Sequence, residues 1–213
     1  MSVKKRAWFI ITFLAIGLSY FSVSNSWATD LKLKDLQGTQ QSLEEYKGKI
    51  VVLNFWATWC QPCRKEMPVF VKIQSEYQSR GVQFIAASTD EAGEKKSVEK
   101  FAQKYKLNFP VWVGATLEQQ ASFNLGTSLP ATIILDQEGQ GQFRIVGQAE
   151  EKVLRERLEW LLSDKSSPQP EELTLPPGIT PEHFKEHVAG EPEGEEPHHH
   201  EQEPLAFGSE VPS

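Results

Sequence analysis

Hydrophobic positions along the chain fall into two kinds of run. Ile50 to Trp56 reads IVVLNFW, nearly all apolar and rich in β-branched residues. Such a run suits a central strand covered on both faces, and its length and the flanking Gly48 favour strand over helix. Val82 to Ala87 repeats the pattern as a second buried strand. Between them Met67, Phe70, Val71, Ile73 and Tyr77 recur at helical spacing. They predict an amphipathic helix from near Cys60 to about Ser79. Pro68 should kink this helix by removing a donor, and Gly81 should stop it.

Weaker patterns fill in the rest. Leu31 to Leu36 reads as a short edge strand, turned by Gly38-Thr39, and Ser42 caps a helical turn through Glu45. Ser97 to Tyr105 predicts a helix with Val98, Phe101, Ala102 and Tyr105 inward. Val111 to Val113 predicts a short strand and Leu117 to Phe123 a short helix. Ala131 to Leu135 is a strand entered through Leu129-Pro130. Residues 137–141 are turn material, and Phe143 to Val146 returns as an antiparallel partner. Glu150 to Leu162 closes the unit as a helix burying Val153, Leu154, Leu158, Leu161 and Leu162. Strands and helices in this order imply an α/β fold, a mixed central sheet with helices on both faces.

Composition divides the 213-residue chain into three parts. Residues 1–28 carry only Lys4, Lys5 and Arg6 as charges, and the uncharged run Ala7 to Val23 follows. With Ser26-Trp27-Ala28 after it, this has the pattern of a secretory signal cleaved after Ala28. An uncleaved anchor in the inner membrane is the alternative, although the run is at the short end for a span. On either reading residues 29–162 are exported, and the expected compartment is a bacterial periplasm, where disulfides persist. From Ser163 onward the chain holds nine of its thirteen prolines and all five histidines. Its charge there is strongly acidic, and this composition predicts disorder over 163–213. The middle part is balanced in charge, so no basic footprint for nucleic acid is present.

The two cysteines, Cys60 and Cys63, stand in the run Trp59-Cys60-Gln61-Pro62-Cys63. A disulfide between them closes too short a loop to serve as a staple. A closed zinc site normally needs four ligands, and residues 29–162 contain no histidine. A redox pair is the remaining reading. Cys60 lies where a buried strand meets a helix start. Free N–H groups and the helix dipole there favour a thiolate, the attacking species. Cys63, one turn further on, can attack a mixed disulfide on Cys60. Pro62 suits the first turn, which needs no donor from it, and Arg64 and Lys65 add positive charge.

The segment FWATWCQPCRKEMP resembles the active-site segment of the thioredoxin superfamily, and more closely that of the periplasmic TlpA and ResA group, which acts in cytochrome maturation. The resemblance spans about Asp30 to Leu162. It implies a thioredoxin fold with an N-terminal extension and a central αβ insert. It also implies that Cys60 is the nucleophile and Cys63 the resolving thiol. Pro130 matches the family's cis-proline, with Leu129 offering its backbone to an incoming peptide as an added strand. Glu66 matches the acid that the TlpA and ResA group carries three residues after its second cysteine, and a buried carboxyl can carry a proton for a dithiol. The alternative for Glu66 is a solvated helix residue. Trp59 would shield one side of Cys60 or, alternatively, pack in the core. The chain departs from ordinary thioredoxins at Asn54, where those proteins place a buried Asp, and at Gln61-Pro62 in place of Gly-Pro.

The expected activity is therefore thiol–disulfide exchange on a partner protein, with no cofactor and no metal. The preferred direction is reduction, with electrons from a membrane thiol donor and an apocytochrome or copper-site protein as recipient. The alternative within the same chemistry is an enzyme run as an oxidant or an isomerase. A copper carrier using the cysteines and His198 to His200 is the alternative from another class. No dimerisation segment is visible, and a monomer is expected. A peroxidase would place Thr before its cysteine, where this chain has Trp59.

Overall fold

A computed structural model of the chain describes residues 31–182. Eight strands form one sheet in the order β2-β1-β5-β4-β3-β6-β7-β8. The strands are β1 (Lys32–Asp35), β2 (Gln40–Ser42), β3 (Ile50–Trp56), β4 (Val82–Ser88), β5 (Val111–Val113), β6 (Ala131–Leu135), β7 (Gly141–Val146) and β8 (Leu173–Thr174). Four helices accompany them: α1 (Gln61–Tyr77), α2 (Lys95–Lys104), α3 (Leu117–Ser122) and α4 (Glu151–Leu162).

The centre follows from the apolar runs. All seven residues of β3 are buried, between parallel β4 and antiparallel β6. Side chains alternate across a strand. Ile50, Val52 and Trp56 accordingly join one core with Met67, Phe70 and Ile73 of α1. Val51, Leu53 and Phe55 join a second core with Trp112, Phe123 and Leu125. Each such fully buried side chain stabilises the fold by about 1.5–3 kcal/mol. Asn54 shares its parity with Val52 and Trp56, so the pleat turns a polar group toward α1. Asn54 is the one polar position in an otherwise apolar strand.

Two expectations need correction. The strand β1 is not at the rim, because the polar Gln40–Ser42 folds back beside it as β2. Three polar residues carry no apolar alternation, so periodicity could not reveal β2. The stretch after Leu162 is also not structureless throughout. It turns at Ser163, and Leu173–Thr174 pairs in parallel with Arg144 and Ile145 of β7. Leu173 and Leu175 pack on the second core. Composition predicted disorder, but a rim of unpaired backbone on β7 and a buried Arg157 on α4 hold the segment by contacts remote in sequence. Residues 1–30 and 183–213, His198 to His200 among them, lie outside the described residues.

Candidate active site

The strand β3 delivers the chain to a four-residue loop, Ala57 to Cys60, and α1 begins at Gln61. Cys60 is the N-cap, with extended backbone angles, and its Sγ accepts a hydrogen bond from the Cys63 N–H at 3.3 Å. The two cysteines form a disulfide, with Cα atoms 5.3 Å apart. Cys63 is fully buried, whereas Cys60 keeps 5% of its surface exposed. An attacking partner therefore meets Cys60 first. Pro62 sits in the first turn of the helix, exposed and with no donor to lose.

The loop is fastened by a residue that sequence reasoning missed. Asp90, just past β4, is buried. Its carboxylate accepts from the Thr58 N–H at 3.0 and 3.1 Å and from the Thr58 hydroxyl at 2.5 Å. The Ser88 hydroxyl donates to it at 2.7 Å. The Thr89 N–H adds a bond to the Trp56 carbonyl at 2.8 Å. A signal was present in retrospect: a Ser-x-Asp at the end of a buried strand, and a Thr two residues before the first cysteine. With Thr58 fixed, Trp59 projects outward and is 68% exposed, so the core-packing alternative for it does not hold.

Across from this loop the Leu129–Pro130 peptide is cis, as the resemblance implied. Pro130 is buried and Leu129 half-buried. The Pro130 carbonyl accepts from Gly147 N–H at 2.8 Å. A second residue missed from sequence, the fully buried Gln120 of α3, holds the approach to this bond. Its Nε2 donates to the carbonyls of Gly126 and Ser128 at 3.0 and 2.9 Å. Trp59, Leu117, Thr127 and Leu129 line a groove of about 540 Å³ between the two loops.

Glu66 lies one helical turn beyond Cys63 and is wholly buried. The solvated alternative for it therefore fails. Asn54 Nδ2 donates to Glu66 Oε1 at 2.9 Å and to Thr132 Oγ1 at 3.0 Å. The Ala149 N–H donates to Glu66 Oε2 at 2.9 Å. Burial outweighs these two donors and pushes the carboxyl up to about 8. Asn54 Oδ1 has no partner in this pocket. Arg64 and Lys65 are exposed beside the helix start. Among the described residues no three or more His, Cys, Asp or Glu side chains gather as a metal site.

Comparison with known proteins places this geometry. The AhpC/TSA family matches residues 25–142. The protein named thiol-disulfide oxidoreductase ResA from Geobacillus kaustophilus is 33% identical over 166 residues, which cover 74% of this chain and 94% of that one. The chain belongs to the AhpC/TSA family and is a thiol–disulfide oxidoreductase. Thioredoxin-like protein YneN of Bacillus subtilis is 40% identical over 132 residues, covering 62% of this chain and 76% of that one. Among solved structures, a thiol:disulfide interchange protein from Chlorobium tepidum is similar with a TM-score of 0.57 and 27% identity, over 67% of this chain and 99% of that one. The thioredoxin fold expected from the WCQPC run is thus the fold found.

Proposed function

We propose that this oxidoreductase works as an exported reductant of protein disulfides, with Cys60 as nucleophile, Cys63 as resolving thiol and Glu66 as proton carrier. In the reduced enzyme the Cys60 thiolate attacks one sulfur of a partner disulfide. A mixed disulfide forms, and the other partner sulfur leaves as a thiolate that takes a proton. Glu66 accepts the proton of Cys63, whose thiolate then attacks Cys60 Sγ. The Cys60–Cys63 disulfide forms, and the second partner sulfur departs with a proton returned through Glu66. Two electrons have passed to the partner, and a thiol donor at the membrane must restore the dithiol.

The observation that carries this reading is the wholly buried Glu66 one turn from Cys63, pushed to about 8. An ordinary thiol titrates near 8.5. Acid and thiol are then matched, and a proton can pass between them in either direction. Leu129 and the groove beside Trp59 would receive the partner backbone and its side chains. Export rests on the basic, apolar and Ser-x-Ala pattern of residues 1–28, and a periplasmic setting suits a redox pair. An apocytochrome or copper-site protein is the recipient that the family resemblance suggests.

The reduction potential tests the direction. Equilibrium titration against a dithiol buffer should give a value near the thioredoxin end, at roughly −270 mV. A value near roughly −120 mV, where a strong disulfide donor lies, would reverse the assignment.

A further inference from the structure

The segment after α4 has no part in the reading above, yet it is built into the fold with care. Trp160 Nε1 donates to the Ser167 carbonyl at 3.1 Å, which folds the chain back along the helix end. Arg157 is only 4% exposed. Its Nη2 donates to the Glu171 carbonyl at 2.9 Å and to Thr174 Oγ1 at 2.7 Å, and Nη1 reaches the Val153 carbonyl at 3.4 Å. Its guanidinium also lies 5.4 Å from the centre of the Phe143 ring. Arg144 pairs with Glu172, and its N–H donates to the Glu172 carbonyl at 2.7 Å. A buried arginine is costly unless its donors are used. This one spends two of its bonds on the segment 171–174.

The segment then ends on the backbone of the active site. Pro176 packs on Gly147, its Cγ lying 3.1 Å from where a Cβ at that position would stand. Gly147 has φ +93°, a conformation suited to glycine. A side chain at 147 is therefore strained by the backbone angle and crowded by the proline ring. Gly147 N–H holds the Pro130 carbonyl, and two residues on Ala149 N–H holds Glu66. One short turn, 147–149, thus carries a contact to each half of the site, and Pro176 closes over it from outside.

We infer that residues 163–176 form a strap that positions the redox site through the 147–149 turn, with Arg157 as the positioning residue that anchors it. The inference rests on the proposed role of Glu66. Loosening the strap should let the turn move, weaken the Ala149 hydrogen bond to Glu66 and shift the thiol–disulfide balance of Cys60 and Cys63.

The test uses the full chain and two variants that loosen the strap from opposite sides, Arg157→Leu and Pro176→Gly. Each is titrated against dithiothreitol, with and without Glu66→Gln, and each is melted in parallel. The expected result is a change of about tenfold in the equilibrium constant, roughly 30 mV, that disappears in the Glu66→Gln background. Pro176→Gly keeps the test decisive should Arg157→Leu fail to fold. A lowered melting temperature with an unmoved equilibrium constant would make the strap a brace and overturn the inference. A shift that persists without Glu66 would overturn the route through the turn. Should Glu66→Gln itself move the equilibrium while neither strap variant does, the strap fails and the reading of Glu66 stands. Should Glu66→Gln match wild type, the reading of Glu66 fails first.

Discussion

Asp90 fastens the loop before Cys60, and Glu66 sits one turn past Cys63. Both are buried carboxyls, one bonded to Thr58 two residues before Cys60 and the other three residues after Cys63, and the chain houses them differently. Three donors converge on Asp90: the Thr58 N–H, the Thr58 hydroxyl and the Ser88 hydroxyl. Glu66 has two, from Asn54 and Ala149, in a pocket that leaves Asn54 Oδ1 without a partner. Burial is also more complete at Glu66, which shows no exposed surface against 5% at Asp90. A saturated acid holds geometry. An undersupplied acid, in a pocket where desolvation dominates, is the one suited to hold and release a proton.

Removing the saturated acid should do the greater damage. Asp90→Ala leaves three donors without their acceptor and should lower stability by about 3 kcal/mol, measured by urea unfolding. Activity on a protein disulfide should fall with it as Cys60 loses its fixed loop. A variant as stable as wild type would show that Asp90 does not fasten the loop.

Glu66 should show itself through pH instead. Its folded value of about 8 stands above the unfolded 4.5. Between these values the folded chain keeps a proton that the unfolded chain has released. Stability is therefore fully present below about 4.5, falls as pH rises through the window, and levels off beyond about 8. The slope should approach about 1.4 kcal/mol per pH unit for one proton. Glu66→Gln should flatten it, as read by denaturant titration of the oxidised protein at several pH values. An unchanged slope would place the titrating group elsewhere.

The smallest effect on folding belongs to Trp59. It is exposed, and Trp59→Ala should change stability by less than about 0.5 kcal/mol. The same change should cut kcat/KM toward a protein disulfide by about tenfold while leaving reaction with dithiothreitol unaltered. Equal losses on both substrates would mean that Trp59 tunes the cysteines rather than meeting the partner.

What could be read from the sequence was local in origin. The strands β3 and β4, the amphipathic α1 and Cys60 at a helix start all follow from short patterns, whereas the cis-proline position was implied by the resemblance alone. Glu66 was singled out because the resemblance implied an acid three residues after the second cysteine, and its burial could not be read from the sequence. Asp90, Gln120 and Arg157 escaped because each is a polar residue in a stretch that also suits a solvated surface. The partners that fix them to other parts of the fold lie 6 to 32 residues away in the chain, at Thr58, Gly126, Ser128, Glu171 and Thr174. The strand β8 escaped for a related reason, since two residues in a Pro- and Glu-rich stretch have no period to detect.

The sheet tapers from seven residues at β3 to three at β2 and two at β8. A rim that short offers a second copy almost no ladder to extend, and the outer strand β2 is polar as well. The long apolar strands that build the redox site are each flanked on both sides. Breadth at the centre serves the chemistry, and narrowness at the margins limits templated pairing between neighbouring molecules.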